Sequence, residues 1–197
     1  MKHAFLVMAH TNYPLLARVI KMLDHRDNTI FIHIDKKSSF TKEDAEAIKA
    51  SCLVSRVVFT DRYSITWGGY SQVNLMLRML ETASAEKYDY YHFLSGNDFL
   101  TKPMSWVHSF FERHNGDEFI AFSPVESMPQ VKARYAQYHF FREYCGRNRK
   151  NPLFWLNYLL AGVQRRILRV DRTRKYRNID FNWGPSWCSI TNAFTNH

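Results

Sequence analysis

Apolar and polar positions along the chain follow two rhythms. Ala4 to Ala9 is a short unbroken apolar run closed by His10, the pattern of a buried strand. His10 to Tyr13 follows as a polar loop, and Pro14 suits the first turn of a helix. From there Leu15, Leu16, Val19, Ile20 and Leu23 recur at helical spacing. The rhythms then repeat, predicting strands over 29–34, 54–59, 88–94 and 118–122 and helices over 41–50, 71–83 and 105–112. Strands alternating with helices predict an α/β fold with a mostly parallel sheet flanked by helices. Such sheets bind ligands beyond the carboxyl ends of their strands. Four polar clusters fall at predicted ends: His10-Thr11-Asn12, Asp35-Lys36-Lys37, Trp67-Gly68-Gly69 and Ser95-Gly96-Asn97-Asp98.

Trp67-Gly68-Gly69 stands directly before the helix predicted over 71–83. Paired glycines let the backbone turn sharply, an indole offers a flat face, and a helix start presents free N–H groups. The loop reads either as a cradle for a planar base with a phosphate nearby or as an ordinary turn with a buried tryptophan.

Charge changes the picture after residue 130. Lys and Arg outnumber Asp and Glu by 27 to 18, a formal net charge of +9. Residues 130–180 hold 13 of the basic residues and 3 of the acidic ones, so the excess is regional. It points to an anionic partner: phosphate, nucleic acid or membrane headgroups. Within this basic helical segment, Leu153 to Leu160 precede Arg165-Arg166-Ile167-Leu168-Arg169. That order fits a helix lying on anionic lipid or a helix packed on the sheet with its arginines in water. No apolar stretch reaches the ~18 residues of a membrane span. The opening MKHAFLVMAH does not read as a signal peptide. Cys52, Cys145 and Cys188 are too few and scattered for a disulfide framework or a zinc site, which fits a reducing compartment.

The motifs exclude several chemistries. The chain has no phosphate-binding Gly-x-x-x-x-Gly-Lys-Ser/Thr, no Gly-x-Gly-x-x-Gly after the first strand and no Gly-x-Ser-x-Gly elbow. His33 and His92 lie within predicted strands and read as core residues, not ligands. Asp-x-Asp, the spacing that grips a divalent ion on the diphosphate in many nucleotide-sugar enzymes, is absent, leaving basic side chains to neutralise such a group.

The pieces FLVMAHTN, IFIHIDKKS, ITWGGYSQVNLMLRMLETA, YDYYHFLSGNDFLTK and WGPSWCSIT occur in this order along the chain. Together they resemble the bacterial branch of the core-2/I-branching β-1,6-N-acetylglucosaminyltransferase family, which also contains peptide O-xylosyltransferases. The resemblance implies a GT-A-like, Rossmann-related fold and an inverting, metal-independent transfer of an N-acetylglucosamine- or xylose-type sugar from a UDP-sugar to a glycan hydroxyl, as in surface polysaccharide or glycoconjugate synthesis. No cofactor is implied. Carried over by position, Val7, His10 and Asp35 would hold the nucleotide, with Trp67, Gly68 and Gly69 against it. Ser95, Gly96 and Asp98 would lie near the sugar, Asp98 as a strut. Glu126, Lys132, Arg134 and Trp187 would hold the acceptor. The family's base is a Glu in an Asp-Glu pair beyond the GPSWCSIT strand, so it is expected past His197, and the chain reads as C-terminally incomplete. The resemblance divides one glycosyltransferase domain, 1–197, into a nucleotide-sugar part over 1–125, an acceptor-side basic part over 126–180 and the start of a C-terminal part over 181–197. It implies a cytoplasmic enzyme, peripheral at the inner face of a bacterial membrane.

Two other readings compete. A nucleic-acid-binding module would use Tyr135, Tyr138, Phe140, Phe141 and Tyr144 among the basic residues, but no RNA-binding motif accompanies them. An inactive, membrane-associated fragment would bind anionic lipid without turnover.

Overall fold

In the computed structural model, which describes residues 1–124, 134–176 and 178–195, the first strand β1 (His3–Ala9) is buried along nearly its whole length. It leads into α1 (Tyr13–Met22), whose cap Asn12 adopts a left-handed conformation, φ 55°, that asparagine tolerates better than most residues. β2 (Asn28–Ile34) is buried at every position. Thr41 caps α2 (Lys42–Ala50) in a reciprocal pair with Asp44. β3 (Arg56–Phe59) starts later than predicted because the Asp24 carboxylate takes the N–H groups of Leu53, Val54 and Ser55. α3 (Tyr70–Ser84), β4 (Tyr90–Ser95) and α4 (Met104–Arg113) lie close to their predicted places.

The sheet runs β3-β2-β1-β4, all parallel, with β7 (Ser189–Thr191) antiparallel at the β4 edge. Leu16, Val19 and Ile20 of α1, Ile48 of α2 and Met104 of α4 cover one face, packing on Phe5, Val7, Ile30 and Ile32. Leu75, Met79 and Ala83 of α3 cover the other, on Leu6, Phe31, Tyr91 and Phe93. Helices on both faces explain why β1 reads as an unbroken apolar run and why β2 is mostly apolar. The fold is α/β, as expected.

One predicted strand is corrected. Residues 118–122 form a single bridge, Phe119 with Ser189, rather than a strand. Glu118 is turned to Thr191, accepting from its N–H, and the chain leaves the sheet at Ala121.

The chain divides into two compact units: Met1–Ile65, Asn74–Ile120 and Ser186–His197 form the first, Thr66–Val73 and Ala121–Pro185 the second. The second contains β5 (Ser123–Pro124) paired with β6 (Asn182–Trp183), α5 (Arg142–Cys145), α6 (Pro152–Arg166) and a 3-10 turn, Arg172–Lys175. The short helix α7 (Asn192–Thr195) follows β7 in the first unit. The inner side of α6 is partly polar. Gln164, buried, donates to the Tyr138 carbonyl at 3.0 Å and accepts from the Tyr138 N–H at 2.9 Å. Asn157, also buried, accepts from the Phe141 N–H and pairs with His139 Nδ1 at 3.1 Å. These amides stand in for a strand partner, pinning an irregular segment to the helix.

Candidate functional site

In the first unit the strand order reverses direction between β1 and β4, the position at which open α/β sheets form a binding crevice. Register aligns the carboxyl ends: Ala9 faces Ile34, and Met8 faces Ser95. His10 is exposed just past β1. Beyond β2, Asp35 keeps its side chain 14% exposed; it accepts from the Lys37 N–H at 2.9 Å, with Lys37 Nζ 3.9 Å from the carboxylate. Arg62 fixes this turn by donating to the carbonyls of Asp35 at 2.9 Å and Ser38 at 2.6 Å. The sequence pattern did not single Arg62 out, because its acceptors are backbone oxygens without residue identity.

His33 supports the same turn. Its Nε2 accepts the Tyr63 N–H at 3.0 Å, and Tyr63 in turn accepts from the Lys36 N–H. Burial holds the imidazole neutral, its pKa lowered to about 4. Beyond β4, Asp98 accepts from the Ser95 N–H at 2.7 Å and Ser95 Oγ from the Asn97 N–H at 3.1 Å. Gly96 is required by space: a Cβ there would stand 2.8 Å from Ala9 Cβ.

His10, Asp35, Ser95, Gly96 and Asp98 are therefore gathered on one edge of the sheet. Val7 is not. Its side chain is fully buried in the core against the α1 side, and its backbone lies between β2 and β4. Trp187 belongs to the first unit and is exposed just before β7.

Trp67, Gly68 and Gly69 belong to the second unit, and their geometry answers the question the glycines raise. Gly68 adopts φ +77°, which favours glycine. A Cβ on Gly69 would collide with the carboxylate of Glu143, which accepts from the Ser71 N–H at 3.2 Å. The start of α3, expected to be free, is thus occupied by an acidic side chain of the same unit, a favourable place for negative charge. The Arg147 guanidinium lies over the Trp67 ring, 3.2 Å from its centroid, while the indole stays 54% exposed. The glycines admit a protein carboxylate, and the indole is neither an ordinary buried tryptophan nor open on both faces.

Arg134 lies on a cavity of about 930 Å³ wholly within the second unit. Arg142, Arg147, Arg149, Arg165 and Arg172 line it too, with Tyr70, Tyr158, His139 and Asn157 between them. Glu126 and Lys132 lie outside the described residues. Among the described residues no three His, Cys, Asp or Glu side chains are grouped to hold a metal, and no helix is long and apolar enough to cross a membrane.

Comparison with known proteins supplies the family. No curated protein matches the chain. Among solved structures, core-mannan synthase A from Aspergillus fumigatus, in its Mn/GDP form, aligns at TM-score 0.39 and 10% identity over 98% of this chain; the chain spans 60% of that protein's length. The model of the Core-2/I-Branching enzyme family matches residues 3–197. That match runs through the turns carrying Asp35 and Ser95 to Asp98 and through the arginine-lined cavity, and by it the chain belongs to the Core-2/I-Branching enzyme family of glycosyltransferases.

Proposed function

We propose that the chain transfers a sugar from a UDP-sugar to a glycan hydroxyl, with inversion and without a metal, on a GT-A-like scaffold. The observation that carries this reading is the reversal of strand order between β1 and β4, with polar turns on both sides of it. On this reading His10, Asp35 and the Ser95–Asp98 turn receive the donor. Asp98, already accepting from Ser95, is a strut rather than the base. The second unit serves the acceptor. Metal independence rests on the lack of Asp-x-Asp in the sequence.

The test is thermal shift of the purified chain with UDP, GDP, CMP and ADP, in EDTA and then with manganese. UDP alone is expected to raise the melting temperature in EDTA. Asp35→Asn should weaken UDP about tenfold, the loss of one hydrogen bond to a charged acceptor. Trp67→Ala asks separately whether the indole contributes. A shift that requires manganese sinks the metal-free mechanism, and a folded protein blind to UDP sinks the uridine site.

A second reading concerns location. Trp155 and Leu159 on α6 are 60% and 64% exposed, and Ile167 and Leu168 beyond it 71% and 63%, beside Arg166 and Arg169. Apolar residues left in water next to arginines favour peripheral attachment to an anionic membrane surface. Sedimentation with phosphatidylserine vesicles, absent with phosphatidylcholine and lost on Trp155→Ser with Leu159→Ser, is the expected result. Equal recovery in the supernatant with both lipids would end this reading.

A further inference from the structure

We propose that the arginine-lined cavity of the second unit takes an anionic group on the acceptor, so that the acceptor is an acidic glycan carrying a carboxylate or a phosphate. This rests on the reading of the second unit as the acceptor side.

The cavity's shape comes first. About 930 Å³ of concave space is the size of a small-ligand site, suited to the end of an oligosaccharide rather than to a duplex or a flat lipid surface. Its charge comes next. The six arginines arrive from separate stretches: Arg134; Arg142, Arg147 and Arg149 on α5 and the turn after it; Arg165 on α6; and Arg172 on the 3-10 turn. A basic run along one helix would be a solvated face, but here distant segments converge on one concavity. Among the described residues, none of the six forms an ion pair with a carboxylate. Among the described residues the one carboxylate lining the cavity, Glu143, is engaged at the start of α3.

Three of the arginines are already oriented. Arg142 donates to the Gly146 carbonyl at 2.8 Å, Arg147 lies over Trp67, and Arg172 lies over the Tyr138 ring at 4.6 Å. A guanidinium stacked on an aromatic ring keeps its edge donors for a planar or tetrahedral oxyanion. Tyr70 and Tyr158 add aromatic surface on which a sugar ring can lie. An anion entering this cavity relieves the mutual repulsion of the guanidinium groups, which a neutral sugar cannot do.

The test is equilibrium binding to the 197-residue chain. The probes are a neutral disaccharide, the same disaccharide with a uronic carboxylate, the same with a 6-phosphate, and an oligothymidylate. At least one acidic form is expected to bind about tenfold or more tightly than the neutral one, with the advantage shrinking from about 50 to about 200 mM salt. Which of the two binds more tightly identifies the anionic group. Arg149→Gln with Arg165→Gln should remove most of the advantage while leaving the melting temperature unchanged, since neither side chain makes a hydrogen bond among the described residues. Equal binding of neutral and acidic forms overturns the proposal, as does an undiminished advantage in the double variant. An oligothymidylate that binds more tightly than either acidic sugar would make the cavity a nucleic-acid site and also overturns it. UDP thermal shift on the same sample separates the two readings. A UDP response without acidic preference refutes this inference alone, and acidic preference without a UDP response refutes the donor assignment while supporting the cavity.

Discussion

Between pH 6.5 and about 4 the protein is expected to lose stability steeply and to unfold. Four histidines, His3, His33, His92 and His108, are each less than 7% exposed. Burial lowers the pKa of His3 to about 3 and those of His33 and His108 to about 4, and drives His92 well below its ordinary value. Three of them adjoin: His3 Nδ1 lies 2.8 Å from His92 Nε2, and the His3 and His108 rings are 4.3 Å apart, so each disfavours the others' charge.

The sign follows from proton binding. A base with a depressed folded pKa binds fewer protons folded than unfolded. Its stabilisation is complete above the unfolded value of 6.5 and is lost as pH falls toward the folded value. Each such histidine contributes a slope of about 1.4 kcal/mol per pH unit, and four give about 5. Against a total stability of about 5–15 kcal/mol, about one to three pH units exhaust the fold. Circular dichroism melts at pH 8, 6, 5 and 4 check this. His33→Gln, which keeps an acceptor for the Tyr63 N–H, should flatten the acid limb by about one histidine's slope. A melting temperature constant down to pH 4 would show that the imidazoles are reached by water when charged.

Gly96→Ala is expected to be the most damaging single methyl group in the first unit. The new Cβ would meet Ala9 Cβ at 2.8 Å and Leu16 Cδ1 at 3.2 Å. Neither neighbour can yield easily. Ala9 is fixed in register against Ile34, and Leu16 is fully buried in the core. Overpacking of this kind costs about 1–3 kcal/mol. Relief by moving the turn would displace Ser95 and Asp98, so UDP binding should fall with stability. Denaturant titration gives the loss, and Gly162→Ala, with open space around its Cβ, is the contrast, expected to be neutral or to gain up to about 1 kcal/mol. Equal midpoints for Gly96→Ala and the parent would mean that the turn relaxes freely.

The sequence by itself determined the alternation of strands and helices, because burial leaves a local mark. β1, covered on both faces, became an unbroken apolar run and β2 a mostly apolar one, and α1 and α3, covered on one, became periodic. It also placed Asp35 and the Ser95–Asp98 turn at strand ends, since a parallel sheet puts those ends on one edge. Tertiary structure decided what depends on distant partners. Phe119 looks like strand, but its pairing depends on Ser189, which offers only one bridge. Val7 reads the same whether it faces a ligand or the core, and only the packing of α1 buried it. Trp67-Gly68-Gly69 is a local motif whose meaning comes from Glu143 and Arg147, more than seventy residues further on. The arginines were visible as a regional excess, but composition carries no direction. Their convergence on one cavity follows from how the amides of Gln164 and Asn157 fold the segment around α6.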